Sequence, residues 1–318
     1  MNDQKQIMLF GMPRSGTTWV GKLFDSRPDT FYLHEPDSVN LDTQLPLLQP
    51  ANAVFDNKVK ERIEQWLDCK DEKVIASRPF FQKNYLSIDQ WLLFLATAYG
   101  TKIAARINKN WSFNPIRRQK QPPIVVWKSI ESLGRLAYFN QSDNQYSIHI
   151  IRHPAGQIAS TLRGLKGKNF IEQTSILEDW QLYELLLSHS GETRFSLADV
   201  KQMLPEQRLA LRWGIVNDFA LAQAQQKRSQ VLVYEELCRQ PLEKLTNVFE
   251  LLDLDMPQTT LAYIEESTSS NKADYYATQK DPLTAAYSWK DQLNAEQLKN
   301  ISEIALQFNS AKLYQDEL

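Results

Sequence analysis

A short stretch near the start of the chain, IMLFGMPRSGTTW at positions 7–19, places the strongest constraint on the fold. Its first four residues are all apolar, which is typical of a strand that is buried on both faces of a sheet. Gly11 ends this run, and a loop that contains Gly16 follows. The spacing then becomes helical, with one apolar face formed by Trp19, Val20, Leu23 and Phe24. A strand, a glycine-bearing loop and a helix form an architecture that binds anions, because backbone N–H groups and the helix N-terminus point into the loop.

The spacing of Gly11 and Gly16 resembles that of the nucleotide triphosphate loop, G-x-x-x-x-G-K-[ST]. Thr18 stands at the Ser/Thr position, but Thr17 stands where the lysine should be. That lysine is the point charge on the β- and γ-phosphates, so its replacement argues against ATP or GTP hydrolysis. Arg14 supplies a cation inside the loop instead. Two alternatives stay open at this point: a nucleotide kinase or NTPase-like protein, and a plain strand-to-helix turn in which glycine and serine serve only the geometry.

A second motif follows a later apolar run, 148–151. Arg152 comes directly after that run, and Ser160 follows it with seven residues between them. The segment PRSGTTW, residues 13–19, resembles the 5′-phosphosulfate loop of sulfotransferases that use 3′-phosphoadenosine 5′-phosphosulfate (PAPS), and the Arg–Ser pair is similar to the 3′-phosphate motif of that family. The resemblance covers most of the chain, but the stretches around 40–120 and 165–210 carry no motif of the family.

The resemblance implies a binding site for PAPS and for its product, adenosine 3′,5′-bisphosphate (PAP). In the family the first loop holds the 5′-phosphosulfate, the second motif holds the 3′-phosphate, and a tyrosine at the end of the last strand lies near the adenine. An arginine suits the 3′-phosphate because its planar guanidinium can hold two oxygens. The residues that match these positions are Arg14, Ser15, Gly16, Thr17, Thr18, Trp19, Arg152, Ser160 and Tyr234.

Sulfuryl transfer is an in-line displacement that needs cations on the leaving phosphate and a group that takes the acceptor proton. Arg14 is one candidate cation. The other is Lys128, because the family has a lysine on the strand before the 3′-phosphate arginine that contacts the phosphosulfate bridge, and Lys128 holds the matching position. The alternative is a lysine whose side chain only extends to the surface. The chemistry requires no metal, and we expect none, since no His, Cys, Asp or Glu spacing typical of a metal site occurs.

Two neighbouring residues, His34 and Glu35, are candidates for the base. The histidine of the K-T-H motif of phenol sulfotransferases is absent, because this chain has Lys128-Ser129-Ile130. Glu35 follows Arg14 by 21 positions (35 − 14), the interval of a glutamate in tyrosylprotein sulfotransferases, and FYLHEP is similar to the F-Y-L-x-E-P run of Golgi carbohydrate sulfotransferases. We therefore favour Glu35, which would work best if burial raised its pKa toward neutrality. The alternative is a cap on a helix that starts at Pro36.

Apolar runs alternate with helical spacing along the chain, which predicts an α/β, P-loop-like fold of three layers with a mainly parallel five-stranded sheet. With 318 residues, of which 42% are hydrophobic, we expect a single domain with helical insertions around 40–120 and 165–210. The pattern predicts a polar, irregular segment at 267–290, and its part 267–280 lies where the family closes over the 3′-phosphate. The predicted strands are 7–10, 31–33, 124–127, 146–151 and 231–234.

Composition narrows the range of partners and compartments. The net charge of −2 gives no bulk attraction to nucleic acid or to an anionic membrane. The longest apolar run, 91–99, is too short to span a bilayer, and the early first strand leaves no room for a signal peptide. Cys69 and Cys238 form no metal-ligand pattern, so a reduced, cytoplasmic setting is the simplest expectation. A basic cluster at 106–120 is either a solvated face or a guide for an anionic acceptor.

These observations predict a sulfotransferase that moves a sulfuryl group from PAPS to a hydroxyl, or to an amine, of a carbohydrate or a small natural product. The FYLHEP run favours a sugar hydroxyl, but the helical insertions carry no code for the acceptor. The alternatives are a nucleotide kinase or NTPase-like protein, and a catalytically silent protein that only binds the nucleotide. The joint presence of Arg14, Lys128 and Glu35 argues against a silent protein.

Overall fold

The described part of the chain contains a five-stranded sheet in which all strands run parallel. The structure is a computed structural model and describes residues 4–39, 47–49, 57–69, 71–104, 123–139, 143–166, 176–224, 228–269 and 282–317. The order across the sheet is β2-β3-β1-β4-β5, and every pairing is parallel, which confirms the predicted sheet. The strands are β1 (Gln6–Phe10), β2 (Thr30–His34), β3 (Ile124–Ser129), β4 (Gln145–Ile151) and β5 (Ser229–Val233).

Helices connect the strands and cover both faces of the sheet. The helical spacing in the sequence predicts three of these helices, at 59–67, 88–99 and 209–224. All three predictions are confirmed, in that order, by α3, α5 and α10, whose bounds end this paragraph. None of the described helices is both long and apolar enough to cross a membrane. The helices are α1 (Thr17–Asp25), α2 (Pro36–Val39), α3 (Asn57–Leu67), α4 (Glu72–Ile75), α5 (Ile88–Ala104), α6 (Leu136–Phe139), α7 (Pro154–Lys166), α8 (Trp180–Ser190), α9 (Leu197–Gln202), α10 (Pro205–Gln223), α11 (Tyr234–Arg239), α12 (Pro241–Leu251), α13 (Gln258–Ser269), α14 (Pro282–Tyr287), α15 (Trp289–Gln292) and α16 (Ala295–Ala305).

Two sequence predictions about these elements need correction. Tyr234, predicted to end the last strand, opens α11, since the acidic pair that follows it favours a helix N-terminus. The segment 267–290, predicted to be irregular, contains the end of α13, all of α14 and the start of α15. Pro282 occupies the first position of α14, where its fixed φ and missing N–H cost nothing. Residues 270–281 lie outside the described part of the chain.

Successive residues of β1 pack into opposite helical layers, because side chains alternate along a strand. Ile7 and Leu9 belong to the layer that contains α1 and α12, whereas Met8 and Phe10 belong to the layer that contains α10. All four side chains are fully buried. Burial of each contributes about 1.5–3 kcal/mol relative to exposure, so a continuous apolar run is stable only between two layers. This arrangement produces the three layers predicted from the sequence.

The carboxyl ends of the parallel strands meet at one edge of the sheet, which we call the carboxyl edge. β1 and β4 are neighbours, but the chain leaves β1 toward β2 and leaves β4 toward β5. Ligands of open parallel sheets bind where the connections diverge in this way. The fold therefore brings the loop after β1 next to the loop after β4, at the position expected for a ligand.

Candidate functional site

The loop between β1 and α1 has the backbone of an anion-binding turn. Gly16 precedes α1 with φ 88° and ψ 5°, a left-handed conformation that glycine adopts without steric cost. Arg14 also has a positive φ, 72°, which is strained for a residue with a side chain. Ser15 is buried, and its Oγ donates to a loop carbonyl at 2.7 Å. Thr17 and Thr18 begin the helix, so their N–H groups have no acceptor within it and are available to an anion.

The ring of Tyr234 covers this loop at Gly16. A Cβ atom at position 16 would overlap the ring, so a side chain there is incompatible with the arrangement. The ring also meets Trp19 edge-on, with 6.2 Å between the ring centroids. Trp19 Nε1 in turn donates to Ser267 Oγ at 3.1 Å, and both residues are buried. Ser267 opens the segment that the family resemblance places over the 3′-phosphate, and most of that segment lies outside the described residues.

The residues of the second motif contact the first loop directly. Arg14 Nε donates to Ser160 Oγ of α7 at 2.9 Å, and Arg152 Nη1 donates to the Arg14 carbonyl at 3.0 Å. Arg152 Nη2 donates to the Ala285 carbonyl at 2.6 Å, and its guanidinium lies 5.0 Å from the centroid of the Tyr234 ring. A guanidinium has five N–H groups, so these two hydrogen bonds leave further donors. Two motifs that are 138 residues apart thus form one cluster of cations.

Glu235 is a neighbour of this cluster to which the sequence assigned no role. Its carboxylate lies 4.0 Å from Arg152 Nε, and it accepts hydrogen bonds from the His153 backbone N–H at 3.1 Å and from the Tyr314 hydroxyl at 3.2 Å. Burial raises the pKa of Glu235, and Arg152 opposes this rise. The carboxylate therefore orients Arg152. The signal in the sequence was an acidic pair directly after a strand, at the edge where ligands bind.

Lys128 and Glu35 form an ion pair on the other side of the loop. Lys128 Nζ contacts Glu35 Oε1 and lies 3.4 Å from Thr18 Oγ1. The Lys128 side chain is 2% exposed, so it is not a surface lysine, and that of Glu35 is 24% exposed. The sheet holds the pair, because His34 is the register partner of Lys128 and the Glu35 N–H donates to the Lys128 carbonyl at 2.9 Å. Like Arg14, Glu35 has a positive φ, 53°.

The ion pair with Lys128 lowers the pKa of Glu35, the favoured candidate base. Burial raises the pKa of Glu35, but the Lys128 ammonium and His34 lower it further, so the pKa lies below the ordinary value for glutamate. Burial lowers the pKa of Lys128, and Glu35 offsets part of that effect. A raised pKa was the property expected of the best base, and the structure has the opposite, because the fold that buries Glu35 also places a cation against it.

His34 is the other candidate base. Its Nδ1 lies 3.1 Å from the Tyr32 hydroxyl and its Nε2 lies 3.8 Å from Glu35 Oε1. Burial, helped by Lys128, lowers the pKa of His34 to about 4, so its imidazole is neutral at neutral pH. Two further histidines, His149 and His153, are buried in packing contacts. The first lies 3.0 Å from Asn217 Oδ1, and the ring of the second stacks on Trp289.

Asp37 is a buried carboxylate that the sequence analysis did not single out. Its Oδ2 accepts hydrogen bonds from Ser129 Oγ and from Ser132 Oγ, the latter at 2.6 Å. Burial raises the pKa of Asp37, and the two hydroxyls oppose this rise. Because Asp37 follows Glu35 closely and Ser129 follows Lys128, these bonds tie the ends of β2 and β3 together. The pairing depends on strand register, and no local pattern in the sequence reports it.

Comparison with known proteins finds the family that the two motifs of the sequence resemble. A family model described as "Sulfotransferase family" matches residues 6–258, a span that includes the loop after β1 and the pair Arg152 and Ser160. Carbohydrate sulfotransferase 1 of Danio rerio is 20% identical over 333 residues, covering 91% of this chain and 72% of the relative. Carbohydrate sulfotransferase 5 of Mus musculus is 21% identical over 334 residues, covering 96% of this chain and 79% of the relative.

Solved structures that the chain matches include mouse sulfotransferase SULT7A1 complexed with PAP and a sulfotransferase from Alicyclobacillus acidocaldarius. The mouse protein is 12% identical, with a TM-score of 0.44 and coverage of 100% of this chain and 90% of that chain. The bacterial protein is also 12% identical, with a TM-score of 0.41 and coverage of 97% and 98%.

Proposed function

The chain belongs to the sulfotransferase family, and we propose that it transfers a sulfuryl group from PAPS to a hydroxyl, or to an amine, of a carbohydrate or a small natural product. The observation that carries this proposal is the contact of Arg14 with Ser160 and of Arg152 with the first loop. This contact supports a site that holds two phosphate groups of one ligand. The names of the carbohydrate sulfotransferase relatives support the acceptor class.

The residues present fit a donor with two phosphate groups. When bound, PAPS supplies a sulfuryl group activated by a phosphate leaving group. Arg152 Nε is buried and makes no hydrogen bond within the described part of the chain, so it has a donor left for a phosphate oxygen. In this proposal Arg152 and Ser160 hold the 3′-phosphate. The loop from Arg14 to Thr18, at the N-terminus of α1, holds the 5′-phosphosulfate, and Tyr234 packs near the adenine.

Lys128 and Arg14 are the groups that stabilise the negative charge developing on the leaving phosphate. Lys128 Nζ lies at the first turn of α1, 3.4 Å from Thr18 Oγ1, and Arg14 lies within the loop itself. A cation in a buried site stabilises such charge more than one in water, because little solvent screens it. The two cations and the helix N-terminus therefore act on the same phosphate from different sides.

Glu35 takes the acceptor proton in this proposal. Its low pKa keeps it ionised at neutral pH, so it can accept a proton as the acceptor oxygen attacks. Negative charge on a donor beside Lys128 compensates that ammonium and raises the pKa of Glu35, which makes the carboxylate a better base in the complex. His34, whose neutral imidazole lies beside Glu35, is the second candidate.

We also propose that the chain is a single domain whose helical insertions, around 40–120 and 165–210, form the acceptor side. The packing supports this reading. Ile63 and Trp66 of α3 share a hydrophobic cluster with residues of the sheet. Residues of α7, α8, α10 and α16 form another continuous cluster.

Thermal unfolding with PAP and with Mg·ATP tests the donor. A ligand at one hundred times its Kd adds about 2.7 kcal/mol. For 318 residues this corresponds to a rise in Tm of about 4 °C. We expect PAP to produce this rise and Mg·ATP to produce little. Stabilisation by Mg·ATP without stabilisation by PAP would contradict the proposal. Turnover of labelled PAPS with a panel of sugars and small alcohols then identifies the acceptor.

A further inference from the structure

A short turn near the end of the chain belongs to none of the sequence motifs. This turn, a 3₁₀ helix at Asn309–Tyr314, lies beyond the part of the chain that the family model matches, and we call it the C-terminal turn. The carboxylate of Asp218, on α10, accepts the backbone N–H groups of Asn309 and Ser310 at 2.8 and 2.6 Å. Tyr314, the last residue of the turn, is 4% exposed. The turn is therefore fixed on α10 and carries a tyrosine hydroxyl into the interior.

The hydroxyl of Tyr314 contacts the carboxylate of Glu235, a residue that is 1% exposed. The hydroxyl donates to Glu235 Oε2 at 3.2 Å, and the backbone N–H of His153 donates to Oε1 at 3.1 Å. Burial and the carboxylate raise the pKa of Tyr314, so its hydroxyl stays protonated and donates at neutral pH. The ring of Tyr314 also meets the His153 ring edge-on, with 5.0 Å between the centroids. Each oxygen of the buried carboxylate thus has a hydrogen-bond donor other than Arg152.

Arg152 lies beside this carboxylate without a hydrogen bond to it. Arg152 Nε is 4.0 Å from Glu235 Oε1, which is beyond the range of a hydrogen bond. This Nε is buried, and it makes no hydrogen bond to any group that the structure describes. The rest of the residue is fixed, because Nη1 and Nη2 donate to carbonyls and its own carbonyl accepts from Trp213 Nε1 at 3.0 Å. The carboxylate therefore attracts the guanidinium and leaves its Nε–H group unoccupied.

The two hydrogen bonds to Glu235 oppose a closer ion pair with Arg152. A guanidinium and a carboxylate in direct contact lie about 2.7–2.9 Å apart, so the carboxylate would have to move by about 1 Å. That movement would stretch the bonds from Tyr314 and His153. Of these two donors, only the Tyr314 hydroxyl is a side-chain group that a substitution removes. Without it, Oε2 would be a buried acceptor with no partner, and the carboxylate would gain a donor by taking the Nε–H of Arg152.

We propose that Tyr314 is a positioning residue that keeps Arg152 Nε available to the 3′-phosphate of the donor. This inference rests on the proposed donor site, in which Arg152 holds that phosphate. Tyr314 acts through Glu235, to which its hydroxyl is bonded, and it is not itself a phosphate ligand. The consequence is specificity: the preference for a nucleotide with a 3′-phosphate depends on a residue beyond the span of the family match.

Calorimetric titration of the full chain with PAP and with adenosine 5′-monophosphate (AMP) tests this role, because AMP lacks only the 3′-phosphate. The wild type should bind PAP more tightly than AMP. Tyr314→Phe removes the hydroxyl and keeps the ring, so we expect PAP to bind about threefold to tenfold more weakly and the Kd for AMP to stay within about twofold. A residue that only supports the fold would weaken both ligands alike. In the Arg152→Ala background, Tyr314→Phe should have no further effect on PAP, because Nε is absent.

Tyr85→Phe is the matched control. It removes a hydroxyl that donates to the Thr30 carbonyl at 3.1 Å, at the end of β2 that lies away from the carboxyl edge, and it should change the affinity for neither ligand. Circular dichroism verifies that both variants fold. Unchanged or tighter PAP binding in Tyr314→Phe, equal losses for PAP and AMP, or the same loss in the Arg152→Ala background would each overturn this inference alone. A wild type that binds PAP no better than AMP would overturn the donor site itself, and this inference with it.

Discussion

Glu35→Gln keeps the size of the side chain but removes the carboxylate that contacts Lys128. The amide of glutamine cannot take the acceptor proton, so turnover should fall by roughly 10²–10⁴-fold. The affinity for PAP should change little, because the proposed phosphate contacts are those of the first loop and Arg152. The perturbation therefore acts on turnover and leaves donor binding as an internal control.

The cost of this change in stability follows from the burial of the ion pair. Removing one partner of a fully buried pair costs about 3–5 kcal/mol. The Glu35 side chain is 24% exposed, and glutamine keeps an oxygen for Lys128, so we expect a loss of only about 1–2 kcal/mol. For a chain of 318 residues this lowers Tm by about 2 °C. The variant is therefore folded at any ordinary assay temperature.

The pH profile separates a base from a purely electrostatic role. If Glu35 only kept Lys128 protonated, its loss would lower the pKa of Lys128 further, and activity would return as the pH falls. A missing base is not restored by acid. Initial rates with labelled PAPS, measured from about pH 5 to pH 8, distinguish the two cases. The control is Glu236→Gln, which removes an exposed pair with Lys244 and should change neither turnover nor Tm. Turnover of Glu35→Gln within about threefold of wild type, or full recovery in acid, would refute the reasoning.

Three further predictions concern donor binding and stability. Arg152→Ala should weaken PAP binding in calorimetry by roughly tenfold to a hundredfold, and Arg152→Lys should weaken it by less. The control is Arg239→Ala, which removes an exposed ion pair with a glutamate and should not weaken PAP binding. Equal PAP affinity in the wild type and in Arg152→Ala would take that residue out of the site. Gly16→Ala should lower Tm and PAP affinity more than Gly191→Ala, because both positions have positive φ but only position 16 faces the Tyr234 ring, and equal Tm values would contradict this. The free energy of unfolding should fall as the pH drops from about 6.5 to about 4, by up to about 2 kcal/mol per histidine at pH 5. Unfolded histidines take up protons in that range and buried ones do not, so a flat profile in chemical denaturation would exclude the effect. The histidines concerned are His34, His149 and His153.

Local signals in the sequence determined the sheet and the elements of the first loop. The run from Ile7 to Phe10 predicted a strand buried on both faces, and the alternation of such runs with helical spacing predicted a parallel sheet. Gly16 could be assigned to a turn because few residues tolerate a left-handed backbone, and the structure has φ 88° there. These predictions needed only neighbours along the chain, since backbone sterics and strand periodicity act over a few residues. Tyr234 shows their limit, because the apolar run before it continues the strand pattern, whereas the acidic pair after it favours a helix start.

Only the tertiary structure decided which of these residues meet. Arg14 and Ser160 are 146 residues apart, and their contact depends on β1 lying beside β4 in the sheet. The ion pair of Lys128 with Glu35 depends on the register of β2 against β3, and so does the low pKa of Glu35. Periodicity specifies which face of an element is apolar, whereas the partner across an interface is chosen by the packing of the whole chain. For this reason the sequence determined the elements of the proposed site, and the fold determined their contacts and their charges.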